Sequence, residues 1–448
     1  MASIRPAAVA GTFYPGEPPA LDAELEELLG DVEHHEPRLG FPKVLVVPHA
    51  GYLYSGGVAA RAYDELAPAR GIVRRVVLLG PVHRVPVRGL AVPSVESFAT
   101  PLGPVPLDRE ALSTASNLPQ VVTSDAAHAL EHSLEVQLPF LQKVLGGFSL
   151  VPFAVGTASV AEVAEVIERL WGGPETLIVI STDLSHYHSY QDARRIDGVT
   201  LDRIRGFATD IDHDEACGAT PLNGMLALAR RRGMSIRLLA ACNSGDTAGG
   251  KGRVVGYGAL ALHEAEGVSR DEAGGTLLSI ARDAIDSGLE QKPPADRLER
   301  WLLQAGASFV TLTRAGNLRG CIGSLQAHRP LGADVAANAA AAAFRDPRFT
   351  PLGAAEWPQC RVEVSLLSAP KPLRFADEAH LMEQLRPGED GIILEAEGKR
   401  ATFLPQVWED IADKRAFIEH LMRKAGLPAE TRLVRCRVSR YRVAKWKE

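Results

Sequence analysis

Val44-Leu45-Val46-Val47-Pro48-His49-Ala50-Gly51 decides the fold, together with two stretches built like it. These are Val76-Val77-Leu78-Leu79-Gly80-Pro81-Val82-His83 and Leu177-Ile178-Val179-Ile180-Ser181-Thr182-Asp183-Leu184-Ser185-His186. Each begins with four or more branched or leucine side chains without polar alternation, the pattern of a strand buried on both faces. Each then breaks into a turn that carries a histidine. Open α/β sheets gather ligands at the carboxyl ends of such strands. His49, His83 and His186 are therefore expected at one edge, as metal ligands or proton carriers.

Around these runs the pattern alternates with helical periodicity at 21–29, 133–145, 158–170 and 222–232. A strand at 235–241, a glycine-rich turn at 245–252 and a closing strand at 254–262 follow. Strand-helix alternation predicts an α/β domain with a largely parallel sheet flanked by helices. The composition turns polar and glycine-containing at 264–275, which reads as a linker between domains spanning 1–265 and 266–448. Beyond it come an amphipathic helix at 272–287 with Asp271 as its cap, and strands at 309–313 and 318–322. These flank Arg314-Ala315-Gly316-Asn317, a hairpin turn. An alanine-dense helix at 331–344, strands at 361–367 and 391–395, and a helix at 415–425 stopped by Gly426 complete a smaller α+β domain.

At 448 residues, 46% hydrophobic and 23% charged, the chain has the composition of a globular protein with more than one core. A formal net charge of -6 speaks against a nucleic-acid binder. The basic segment 432–447 alternates with apolar residues and reads as a solvated strand face. Five scattered cysteines without a CxxC pair make no disulfide framework and no three-cysteine cluster motif, which predicts a reducing cytoplasm. Residues 1–15 lack the apolar core of a signal peptide, and no apolar run approaches the roughly 18 residues of a membrane span.

Three further groups join the histidines. Glu131-His132-Ser133-Leu134-Glu135 supplies another imidazole. Cys217 precedes the helix at 222–232, where local amides would favour a thiolate. Asp183 lies three residues before His186, close enough to act with it. Two imidazoles and one anionic donor are the minimal set for a catalytic ion with open positions. Tyr52 and Tyr54 are candidates either for the pocket lining or for packing.

The motifs Ala10-Gly11-Thr12-Phe13-Tyr14-Pro15, Pro48-His49-Ala50-Gly51-Tyr52, Gly80-Pro81-Val82-His83, Glu131-His132-Ser133-Leu134-Glu135 and Ser181-Thr182-Asp183-Leu184-Ser185-His186 resemble the Memo family, in that family's order, over about residues 5–263. Memo proteins share a fold with class III extradiol dioxygenases, which cleave catechol rings with non-haem Fe(II). The resemblance implies a metal triad of His49, His83 and Cys217, with His132, Asp183 and His186 around the open positions. Dioxygenases have a carboxylate where this pattern has Cys217. A thiolate shifts preference toward zinc, Cu(I) or a differently tuned iron, so ring cleavage does not carry over directly. For a catalytic site, the roles are His186 as acid/base oriented by Asp183, and His132 as stabiliser of developing substrate charge.

In the second domain, Leu318-Arg319-Gly320-Cys321-Ile322-Gly323 is the densest motif. Its glycines let the backbone approach a ligand or a packed neighbour, and Arg319 would lower the Cys321 thiol or bind an anion. Cys321 is thus a catalytic candidate, against the alternative of an inert strand cysteine. With Phe344-Arg345-Asp346-Pro347-Arg348-Phe349 and Phe403-Leu404-Pro405-Gln406-Val407-Trp408, the motif resembles the AMMECR family over about residues 270–448. Memo and AMMECR proteins are grouped with a radical SAM protein as the AmmeMemoRadiSam system, which makes that protein an expected partner.

Three readings follow. One is a metal-dependent redox or dioxygenase-like enzyme acting on a small aromatic or carbonyl compound, with Fe(II) ahead of zinc or copper. The second is a non-catalytic metal- or peptide-binding module. The third is zinc-assisted hydrolysis.

Overall fold

The apolar runs become neighbouring strands. In the computed structural model, which describes residues 3–32, 40–264, 270–292, 299–428 and 431–448, Val44–Val47 (β1) and Arg75–Pro81 (β2) are buried almost throughout. So are Ser149–Val155 (β3) and Thr176–Ser181 (β4). β1 pairs in parallel with β4, β4 with β2, and β2 with β3. The carboxyl ends of β1, β4 and β2 therefore lie side by side, so that the residues following them meet.

The sheet turns antiparallel at its flanks. Val254–His263 (β5) runs antiparallel to β1, and the short strand Leu90–Val92 is antiparallel to β3. The parallel core is thus flanked on each side by an antiparallel strand from a distant part of the chain. The helices Pro18–Gly30, Tyr52–Asp64, Val160–Arg169, Tyr190–Arg205 and Ala219–Arg231 accompany this sheet.

Two of these helices escape sequence periodicity. Tyr52–Asp64 contains Gly56 and Gly57, which lower helix propensity. Gly56 packs closely, since a Cβ there would meet the tip of the Leu28 side chain at 2.9 Å and make it shift. Tyr190–Arg205 is dominated by polar residues and starts with the Ser189 hydroxyl accepting the Asp192 N–H. The expected helix 133–145 is shorter: a 3₁₀ turn, Glu135–Gln137, precedes the α-helix Leu138–Leu145, whose first turn holds Pro139.

Contacts divide the chain into a first unit that ends by residue 267 and a second from 268 on. Residues 265–269 of the expected linker lie outside the described part, and the helix that follows it begins earlier than periodicity suggests, at Arg270–Glu290. The second unit holds two antiparallel sheets. One pairs Asn317–Gly323, Ala305–Arg314, Cys360–Leu367 and Val443–Lys447 in that order; the other holds Lys371–Leu373, Arg437–Tyr441, Gly391–Ala396 and Lys399–Phe403. The alanine-dense helix spans Leu331–Phe344, as its composition predicts, and Lys414–Lys424 is the last one. The expected hairpin forms, with Arg314 opposite Asn317.

Candidate metal centre

His49 stands two residues beyond β1, His83 two beyond β2, and Asp183 two beyond β4. Pro48 follows β1 directly and Pro81 closes β2, opposite Val155. His132 arrives from the loop before the 3₁₀ turn, tied down by the Ser133 hydroxyl donating to the Pro81 carbonyl at 2.8 Å. One ring nitrogen from each of His49, His83 and His132 lies within 4.8 Å of the others. The His83 and His132 rings stack at 4.6 Å, and His49 meets both edge-on.

The back of each ring is held. His83 Nδ1 lies 2.9 Å from Glu131 Oε1, and His132 Nδ1 lies 3.3 Å from the same oxygen. Glu131 also accepts the backbone N–H groups of His83, His132 and Ser133. Burial opposes its charge, but the His83 ring and these N–H donors outweigh it and hold the carboxyl down to about 2. His49 Nδ1 lies 2.9 Å from Ser181 Oγ. That hydroxyl gives its proton to the Ser133 carbonyl and accepts the Gln137 amide, so its remaining capacity toward His49 is as an acceptor. His49 Nδ1 therefore carries the proton and Nε2 presents a lone pair. Burial, with the charges of His83 and His132, keeps the His49 imidazole neutral far below its ordinary value.

Cys217 Sγ stands 3.4 Å from His49 Nε2, and the nearer-lying N–H of Asp183 donates to the same sulfur at 3.3 Å. Burial first, then the Asp183 charge, push the Cys217 thiol up to about 12. The amides that were to lower it are outweighed by desolvation. Asp183 is buried; its Oδ1 accepts the His49 N–H at 2.8 Å and its Oδ2 lies 3.9 Å from His49 Nε2. Burial raises its carboxyl, and the charges of His186, His132 and His83 pull the other way. His186 opens the short strand His186–His188 and is half-buried. Asp183 thus grips the His49 backbone, and the neighbouring His186 bears on its charge.

These donors fit a metal ion. The donors gathered in one small volume are the ring nitrogens of His49, His83 and His132, whereas Cys217 and Asp183 stand against His49 alone and His186 lies outside the cluster. The outer ring nitrogens are already oriented by carboxylate and hydroxyl, as metal-binding histidines require. The His49 side chain is 2% exposed, His132 19% and His83 31%, so the open side lies at His83 and His132. Sequence reasoning missed Ser181 and Glu131 as partners of the histidines. Their presence inside the same motifs was the available signal. Tyr52 is buried and donates to the Val136 carbonyl at 2.8 Å, which makes it a packing residue; Tyr54 is 38% exposed.

In the second unit, Cys321 is half-buried on its strand, and Thr311 Oγ1 donates to its sulfur at 3.3 Å. Asp346 Oδ2 accepts the Cys321 N–H at 2.8 Å and Arg348 donates to its carbonyl, so the segment 344–349 is fastened to the motif strand. Arg319, expected beside the thiol, instead grips Glu356 with two nitrogens and the Thr350 carbonyl with one of them. Gly320 is demanded by packing, since a Cβ would sit 2.2 Å from the Ala342 carbonyl oxygen.

Fold and site together define an α/β protein with a histidine-rich, metal-compatible cleft at the carboxyl edge of its parallel strands, joined to a second, sheet-rich unit. The chain belongs to the Memo family: the family model described as Memo-like protein matches residues 5–261, and the AMMECR1 model matches residues 278–446. Among curated relatives, a MEMO1 family protein of Sulfolobus acidocaldarius is 35% identical over 277 residues, covering 57% of this chain and 97% of the relative. One from Ignicoccus hospitalis is 37% identical over 281 residues, with 57% and 98% covered. A solved structure of an uncharacterized protein from Pyrococcus horikoshii matches at 29% identity and a TM-score of 0.37, over 40% of this chain and 92% of that one. No helix among the described residues is long and apolar enough to cross a membrane.

Proposed function

We propose that the first unit is a metal-dependent redox protein of dioxygenase-like type that acts on a small aromatic or carbonyl compound, with Fe(II) as its first-choice ion. The observation that carries this reading is the convergence of three imidazoles from separate segments, with Cys217 Sγ 3.4 Å from His49 Nε2. His49, His83 and Cys217 are the proposed holders of the ion, and the closeness of the His132 ring nitrogen to those of His49 and His83 supports it as a further donor. A bound divalent ion supplies Lewis acidity and, as iron, access to redox change. The protein's own part is to bind and orient the substrate at the open side. His186, at the half-buried rim, moves a proton at a ring nitrogen, three residues beyond the buried Asp183.

Zinc-assisted hydrolysis is the second reading, favoured by the three-imidazole cluster, which suits a tetrahedral ion. Elemental analysis of anaerobically purified protein, beside His49→Ala and Cys217→Ala, separates the two. About one iron per chain, lost in both variants, supports the redox reading; zinc in its place supports hydrolysis. No ion after reconstitution makes the cleft a recognition surface instead. Free thiols at all five cysteines fit a cytoplasmic location. The pairing of Memo-like and AMMECR1 parts in one chain favours a radical SAM protein as partner, which co-purification tests.

A further inference from the structure

Tyr187 occupies a conformation that bulky residues avoid. Its φ is 64°, in the left-handed region, and its side chain is among the most exposed large apolar groups described, at 64%. It sits where the pairing of His186 with Val255 and of His188 with Val254 is irregular. The bulge turns the ring outward beside the cleft, and the His186 imidazole meets it edge-on at 5.7 Å. The guanidinium of Arg253 lies over that ring, 5.0 Å from its centre. Arg253 forms no ion pair among the described residues. Arg84, exposed directly after His83, also has no acidic partner among them, and its charge bears on His132. Two arginines without carboxylates thus stand beside His186 and His83, in a chain whose net charge is negative.

We propose that Tyr187, Arg253 and Arg84 form a recognition rim for an anionic ligand, one that carries a carboxylate beside its small aromatic or carbonyl group. The proposal rests on reading the cleft as the substrate site and names the class of that substrate. Stacking on Tyr187 fixes the plane of the Arg253 fork, so that little further ordering is needed to accept a carboxylate through two N–H groups. The strained backbone at Tyr187 is the kind of feature that folds retain at functional positions. Arg84 supplies a second positive charge on the His83 side.

The test uses the full chain with its metal content measured, and titrates benzoate and its neutral counterpart benzyl alcohol by calorimetry. The wild type is expected to prefer benzoate by about tenfold, the scale of one charge-assisted hydrogen bond. Arg253→Gln should abolish that preference, Arg84→Gln reduce it, and Arg253→Lys restore only part of it, all with unchanged metal content. Arg195→Gln, exposed on the helix Tyr190–Arg205, is the control and should leave the preference intact. Equal affinity for the two probes, a preference that survives both glutamine variants, or no binding of either probe overturns the rim. A wild type that prefers benzoate but holds no metal overturns the metal reading and leaves the rim standing.

Discussion

Cys217 Sγ lies 3.4 Å from His49 Nε2, although 168 residues separate the two in the chain. Because the His49 Nδ1 proton is committed to Ser181, the only proton between ring and sulfur is the thiol's own, in the place where a soft cation would bind both. Thiolate contributes softness, so Cys217→Ser should weaken binding of Cd(II) far more than binding of Mn(II). Competition titrations with the two ions measure this; equal losses would remove Cys217 from the donor set.

Glu131 and Ser181 act on the metal only through the histidines they hold. Glu131→Gln and Ser181→Ala should each weaken metal binding about 10- to 100-fold, the usual effect of losing such a partner. Metal-buffered titration of the two variants, with circular dichroism to verify folding, gives the answer.

His186 has a different signature. His186→Ala should abolish turnover of any substrate found while metal content stays near that of the wild type. A variant that loses its metal would make His186 a ligand and not a proton carrier.

The cysteines differ in their surroundings. Burial pushes the thiols of Cys217 and Cys242 up to about 12 and about 11, and it raises those of Cys360 and Cys436. Cys321 is half-buried and receives the Thr311 hydroxyl. A maleimide at neutral pH should therefore label Cys321 first, in a fast phase that Cys321→Ser removes. Uniform labelling of all five would count against a reactive role.

His128 sets an acid limit on the first unit. It is 2% exposed, Nε2 is 2.9 Å from the Ala91 carbonyl, and burial lowers its value from 6.5 to about 4. Its folded value is depressed, so its contribution is whole above pH 6.5 and is lost as pH falls toward 4. The loss amounts to about 3 kcal/mol at 1.36 kcal/mol per pH unit. Urea titrations from pH 7 to pH 4 should show that decline, and His128→Gln should flatten part of it.

Local sequence determined much of this architecture. Unbroken apolar runs bounded by turn residues read as strands buried on both faces, and the turns after them put His49 and His83 at carboxyl ends as expected, while the third imidazole of the cluster is His132 where His186 was expected. That logic needs no long-range information, because burial and turn chemistry act over a few residues. The same holds for the helix Leu331–Phe344 and for the hairpin at Arg314–Asn317, where composition and turn type agree.

Other features were decided only by the tertiary structure. The order in which β1, β4 and β2 stand side by side brings His132, Glu131 and Ser181 to rings from other segments, and no periodicity encodes it. Helix Tyr52–Asp64 forms against its own propensity, with nine of its residues buried in the first unit. Burial, a property of the assembled core, raises the Cys217 thiol against the local amides, and the pairing with Glu356 took Arg319 away from Cys321. Spacing along the chain selects which residues reach the cleft. Desolvation and the hydrogen-bond partners met there set their protonation, and these exist only once distant segments have packed together.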